Sequence, residues 1–269
     1  FGIQSKLAAN RGGGVRITNE GDTYINNFGV TRWVASASRF YGGFFGFEPA
    51  GFFDYPGVFA RIFNATASGA TQLHSYDNNI TGTEERTDKW KAYAHFLKRK
   101  APVIRVAAWY ANRAMDLGED VIGPMRNIRQ ISDIDYMDNV MIRDGALTQY
   151  DILVGYNDGP YEQDVLQAVN NWVNDGGILL MRDYPVSHIR SVEGDDSIYQ
   201  AWQTNANVTL LSYSNFYNDL RAELINRGVL ITDVSGLYVT EFTDGSMLYF
   251  NNNDVDVQVP GTAITVPAN

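Results

Sequence analysis

The chain has no cysteine in its 269 residues. Disulfides, thiolate metal sites and a cysteine nucleophile are thereby excluded. Histidine is almost as scarce: His74, His95 and His188 are the only three, and no two share metal-ligand spacing. Neither a metal nor a cofactor is expected. Basic residues are outnumbered 31 to 21, for a formal net charge of −10. A nucleic-acid partner requires a basic surface to neutralise phosphates, so none is expected, and Lys98-Arg99-Lys100 reads as a solvated helix end. No apolar run approaches the roughly 18 to 20 residues of a membrane span. No signal-peptide pattern is visible, and an opening at Phe1 fits a processed product or a piece of a longer polypeptide. The compartment stays open, with the balance toward an extracytoplasmic one. Three Asn-X-Thr triplets start at Asn64, Asn79 and Asn207. Such triplets arise by chance and are weak signals for glycosylation.

What is present is globular: 45% hydrophobic and 19% charged residues, enough for two cores. Residues 1–102 read as βα units. Gly14 to Thr18 forms a strand ending in Asn19-Glu20, with a helix from Val30 to Tyr41. Phe44 to Phe47 forms a second strand ending at Glu48, with a helix from Pro56 to Ser68. Gln72 to Tyr76 forms a third strand, and a helix from Asp88 to Lys100 stops before Pro102. Three successive units imply a parallel sheet or part of a barrel.

From 103 the register restarts with Val103 to Trp109, an apolar run typical of a strand buried on both faces. Tyr150 to Tyr156 predicts a further strand, Glu162 to Asn174 a helix, and Ile178 to Met181 a strand after Gly176-Gly177. Residues 103–236 thus form an open α/β sheet. From Leu237 the pattern changes to short alternating strands at 237–242, 247–250, 255–259 and 263–266. Residues 237–269 are a small β-appendage. The expected class is α/β, with no internal repeat visible.

The most informative segment is Gly46-Phe47-Glu48-Pro49-Ala50-Gly51, which places one carboxylate at the end of a strand before a Gly/Pro turn. A glutamate there is either a catalytic group at the mouth of a barrel strand, or a helix cap or partner of an arginine such as Arg61. Asn19-Glu20 closes the preceding strand in the same way. His74 and Tyr76 end the next one, either as hydrogen-bonding and stacking groups of a pocket or as a buried pair. Arg16, inside its strand, either lines that pocket or anchors a buried carboxylate. His188 and the acidic run Glu193-Gly194-Asp195-Asp196 read as structural, the latter as a solvated turn without Ca²⁺-loop spacing.

The order Asn19-Glu20, Phe47-Glu48-Pro49-Ala50-Gly51, then Val58 to Ala65 and Ser68-Gly69-Ala70, resembles the C-terminal part of a family 42 glycoside hydrolase barrel. Residues 141–147, 150–154 and 172–177 resemble the glutamine-amidotransferase-like domain that follows that barrel. The resemblance implies a partial (β/α) barrel at 1–102, an amidotransferase-like sheet at 103–236, and trimer contacts through the latter. It implies a retaining β-glycosidase acting on a carbohydrate, galactosides by default, with Glu48 as nucleophile.

Retention requires a second carboxyl about 5 to 5.5 Å away. Glu20 is the candidate acid/base and Asn19 a sugar ligand. Only about 28 residues separate Glu20 from Glu48, one βα unit, whereas the family's two catalytic strands enclose more. Glu20 therefore binds substrate, orients Glu48 or caps a helix. Three βα units cannot close an eight-stranded barrel, so the chain alone lacks the usual acid/base and calls for a homo-oligomer or a missing N-terminal part. Amidotransferase chemistry is excluded, because the elbow Val154 to Pro160 has no cysteine. Two alternatives are a non-catalytic assembly module and a carbohydrate-binding protein with an aromatic mouth of Phe44, Phe47, Phe52 and Phe53.

Overall fold

The computed structural model of the chain describes residues 2–18, 24–48, 55–70, 72–73, 82–93, 100–120, 122–156, 159–183 and 191–268. At Thr18, Phe47, Glu48, 55–58, Gln72, Leu73, Arg86, Lys89 and Tyr93 the description is of the backbone. The class is α/β, as the sequence pattern implies. Two compact units are present: Ile3–Val103 with Thr232–Asn269, and Ile104–Ile231. The β-rich C-terminal segment belongs to the same unit as the N-terminal βα pattern.

In the first unit, α1 (Gly2–Ala9), α2 (Tyr24–Phe40) and α3 (Tyr55–Ser68) each precede a strand. These are β1 (Gly14–Thr18), β2 (Phe44–Glu48) and β3 (Gln72–Leu73), parallel in the order β1-β2-β3. The helix α4 (Glu84–Tyr93) follows. All three helix-to-strand turns share one geometry, although the sequence shows no repeat. After α1, Gly12 N donates to Ala9 O and Gly13 N to Ala8 O; after α2, Gly42 N donates to Arg39 O and Gly43 N to Ser38 O; after α3, Gly69 N donates to Thr66 O and Ala70 N to Ala65 O. This is the Schellman pattern, which needs a left-handed residue, and Gly12, Gly42 and Gly69 supply φ of 69°, 71° and 73°.

Helices α2 and α3 lie between two sheets. On one side Val34, Ala35 and Ala65 pack with Ile17 of β1 and Phe45 of β2. On the other side lies an antiparallel sheet of β4 (Pro102–Val103), β10 (Leu237–Phe242) and β11 (Met247–Asn251). There the Tyr24 ring stacks on Tyr238 at 4.0 Å and on Phe250 at 4.8 Å, and Phe63 meets Phe250 at 4.7 Å. A hairpin of β12 (Val257–Gln258) and β13 (Thr265–Val266) completes the unit. Because both sides of α2 are covered, many of its polar residues are buried too, and several of them find internal partners. Asn64 Nδ2 donates to Tyr24 O and Asn27 Oδ1 at 3.0 and 2.7 Å. Arg32 donates to Ser68 Oγ and Ala67 O, and Arg39 to Ser68 O, so two cations sit at the negative end of α3. The Asn64 side chain is fully buried and committed, which removes it as a glycan acceptor in the folded state.

The second unit is a five-stranded parallel sheet, order β6-β5-β7-β8-β9. Its strands are β5 (Val106–Trp109), β6 (Asp135–Met137), β7 (Ile152–Gly155), β8 (Ile178–Arg182) and β9 (Val208–Leu211). Every residue of β5, β6 and β7 is buried, as in a sheet covered on both faces. The apolar run 103–109 is not one strand. Val103 pairs with Glu241 in the antiparallel sheet, while Arg105, held by Asp151 at 2.6 Å, interrupts the run before β5. The helices are α5 (Asn112–Asp116), α6 (Ile122–Arg129), α7 (Asn139–Arg143), α8 (Gln163–Asn174), α9 (Ser197–Trp202) and α10 (Phe216–Asn226). No helix among the described residues is long and apolar enough to cross a membrane.

A charged network ties α7 to α8. Arg143 grips Asp164 with Nε and Nη2 at 2.6 and 2.8 Å, and its Nη2 also reaches Glu162 at 2.6 Å. Glu162 further accepts from Asn139 Nδ2 and pairs with Arg113, and Asn139 Oδ1 in turn takes the buried Trp109 indole N–H. Burial pushes the Glu162 carboxyl up, but hydrogen bonds from Arg143 and Asn139 and the two arginine charges outweigh it, and its pKa ends lower than usual. Asp164 is lowered chiefly by its hydrogen bond from Arg143, which is raised in return.

Gly42→Ala meets no atom within 4 Å, so its cost is that of left-handed backbone alone, about 1 to 2 kcal/mol in urea unfolding, with a smaller loss for Gly42→Asn. Arg143→Met removes the shared partner of two carboxylates whose folded pKa values lie below their ordinary 4.5 and 3.8. The stability that the network contributes is complete above those ordinary values and is lost as pH falls through the lower folded ones. Wild type therefore exceeds Arg143→Met in stability at pH 7, and the gap closes progressively in urea titrations carried below about pH 4.

Candidate functional site

The first candidate site is the carboxyl end of β1-β2-β3. Glu48 closes β2, the central strand, and its backbone is in register with Thr18, the last residue of β1. Asn19 and Glu20 come next in sequence after Thr18 but lie outside the described residues, as do His74 and Tyr76, which follow Leu73 at the end of β3. The chain thus ends three adjacent parallel strands just before, or on, residues singled out for chemistry. Arg16 is paired with Gly46 in the middle of the sheet and is exposed. It lies on the face opposite Ile17 and Phe45, which point at α2 and α3. Arg61, the other partner considered for Glu48, is buried on α3 at 2% exposure.

On that second face Phe44 is 43% exposed and Arg16 is exposed, while Gly46 is buried. Of the four residues of the expected aromatic mouth, Phe44 alone has a described side chain. It opens the strand that Glu48 closes, about 13 Å away at the rise of an extended chain. Phe52 and Phe53 lie outside the described residues.

The second candidate site is the carboxyl rim of the five-stranded sheet, where strand order reverses around β5 and β7. Ligands of doubly wound sheets bind at this edge. Tyr156 follows β7 and Arg182 ends the neighbouring β8. The Arg182 guanidinium lies 4.6 Å from the Tyr156 ring and 4.0 Å from that of Tyr213, and its Nε and Nη2 donate to Tyr213 O at 3.2 and 3.1 Å. Tyr156 also contacts Phe216 edge-on and stacks on Tyr217, both in the first turn of α10. The Tyr217 hydroxyl accepts from Asn127 Nδ2 of α6 at 3.2 Å. Burial pushes that phenol up to about 12. Tyr199 on α9 is likewise raised to about 12, by burial and then by the Asp183 charge, and its hydroxyl donates to Asp183 Oδ1 at 3.3 Å.

None of these rim residues stood out in the sequence. The available signal was a lone arginine closing the apolar strand Ile178-Leu179-Leu180-Met181-Arg182, followed by the aromatic run Tyr213-Ser214-Asn215-Phe216-Tyr217. The acidic run after residue 192 is structural: Glu193 Oε2 caps α8 at Gln163 N, and Asp195 Oδ1 caps α9 at Ser197 N. His188 lies outside the described residues. Among the described residues no group of three or more histidine, aspartate and glutamate side chains is arranged to hold a metal ion.

No family model and no curated protein matches the sequence. Among solved structures, a GH42 exo-carrageenase from Bacteroides ovatus aligns at 12% identity and a TM-score of 0.49, over 81% of this chain and 34% of its own. A GH42 β-galactosidase from G. stearothermophilus aligns at 14% identity and 0.47, over 70% of this chain and 35% of its own. An α-L-fucosidase from Paenibacillus thiaminolyticus aligns at 13% identity and 0.44, over 67% and 30%. The chain spans about a third of the length of these structures.

Proposed function

We propose that this chain supplies the nucleophile, Glu48, of a retaining β-glycosidase that acts on β-linked sugars, galactosides by default. The observation that carries this reading is the position of Glu48 as the last residue of the central strand in a parallel sheet that has helices on one face. Catalytic groups of βα folds emerge at that end of the strand.

Mechanistically, the Glu48 carboxylate attacks the anomeric carbon and forms a glycosyl-enzyme ester while an acid protonates the leaving oxygen; water, deprotonated by the same group, then releases the sugar. The acid comes from outside this chain or is Glu20, which follows the register partner of Glu48 by two positions in sequence; Asn19 is a sugar ligand, and His74, Tyr76 and Arg16 are further polar groups. Parallel sheets are normally covered on both faces. Among the described residues Phe44 and Arg16 are exposed and β1 pairs with β2 alone, which fits further protein, either another copy of the chain or a stretch completing the barrel. That same observation favours the second reading, an assembly module that keeps the scaffold without turnover.

The two readings separate on one substitution. In the native assembly, Glu48→Gln lowers kcat on an aryl β-galactoside by about three orders of magnitude or more while circular dichroism and melting temperature stay at wild-type values. Undiminished turnover by Glu48→Gln contradicts the nucleophile assignment, and absence of turnover in the wild-type assembly favours the assembly module.

A further inference from the structure

We infer that residues 232–269 act as a closing strap on the first unit. The C-terminal sheet and the βα layer that carries Glu48 open and close together as one cooperative unit, separately from residues 104–231. It does not rest on the chemistry assigned to Glu48.

The strap returns to α2 and α3 only after the whole of 104–231 has intervened in the sequence. Its grip is aromatic. The Tyr24 ring, at the start of α2, stacks on Tyr238 of β10 and on Phe250 of β11, and Phe250 also meets Phe63 of α3. Tyr24, Tyr238 and Phe250 are all buried, so lifting the strap would return large rings to water on both sides of the contact at once. The strap is also fastened at the last residues before 104: β10 pairs with β4, and Thr243 N donates to Ala101 O.

The strap itself is tied into one piece. Asn251, buried on β11, donates through Nδ2 to Val255 O, Val266 O and Pro267 O at 2.7, 3.1 and 3.1 Å, which binds the β12–β13 hairpin to the sheet. Asn252 N donates to Gly236 O and Thr232 Oγ1 to Leu237 O, which ties in its first residues. On the other side of the helices, Val34 and Ala35 of α2 and Ala65 of α3 pack with Ile17 and Phe45. The two helices thus share a core with each sheet, and loosening them at one sheet loosens them at the other.

Native-state hydrogen exchange of the full chain, read by mass spectrometry at rising urea, is the test. The slowest amides of α2, α3, β10 and β11 are expected to share one opening free energy and one urea dependence, distinct from those of β5, β7 and β8. Tyr238→Leu removes a ring stacked on Tyr24 and is expected to speed exchange in those four elements by a common factor of about tenfold, with β5, β7 and β8 at wild-type rates. The wild-type comparison decides the matter even where the variant fails to fold. Opening of β10 and β11 at a lower free energy than α2, or a Tyr238→Leu effect confined to the strap or spread equally to β5, β7 and β8, overturns the inference.

Discussion

Covering α2 and α3 on both sides is the constraint from which the first unit is built. A helix between two sheets has no solvent face on which to place its polar residues, so Asn27, Arg32, Asn64 and Ser68 are buried and must bond to one another and to helix ends. Arg32 and Arg39 meet the last carbonyls of α3, which fixes where α3 stops and therefore where Gly69 turns the chain toward β3. The same Schellman turn at Gly12, Gly42 and Gly69 starts each strand at a similar offset from its helix and keeps the three strands parallel and in register. Register in turn carries Glu48 to the end of the central strand beside Thr18.

The two units meet the problem of a parallel sheet differently. In the second, helices cover both faces, β5 to β7 are buried throughout, and a network from Trp109 through Asn139 to Glu162 and Arg143 locks the loops after β6 and β7. In the first, one face is filled by Phe45, Ile17 and the helices, and the other shows Arg16 and Phe44.

Much of this was legible in the sequence where a strand or helix is long and strongly patterned. The strand at 237–242 has the boundaries its alternation implies, and the helix at 163–174 and strand at 178–182 differ from expectation by one residue. The helix α2 begins at Tyr24, earlier than Val30, because a helix buried all round shows no polar face to mark its extent. Short elements escaped notice: β6 has three residues and β9 four, too few for periodicity to register. The break of the run 103–109 into two strands of different sheets was hidden because Arg105 is one residue in an apolar stretch, and its role depends on Asp151, 46 positions away. For the sites, Glu48 was visible because a carboxylate after an aromatic strand is a local signal. The rim of Tyr156, Arg182, Tyr213 and Tyr217 is assembled from three separated segments, and only the fold brings them together.

In the proposed reaction Glu48 becomes covalently attached to the sugar. This step is tested most directly by inactivating the native assembly with a 2-deoxy-2-fluoro-β-galactoside and mapping the adduct by tryptic mass spectrometry. Cleavage after Arg16, Arg32, Arg39 and Arg61 puts Glu20 and Glu48 in different peptides, 17–32 and 40–61. A fluorogalactosyl ester in peptide 40–61, on Glu48, is the expected product. An adduct in peptide 17–32, or inactivation with label elsewhere, contradicts the nucleophile assignment.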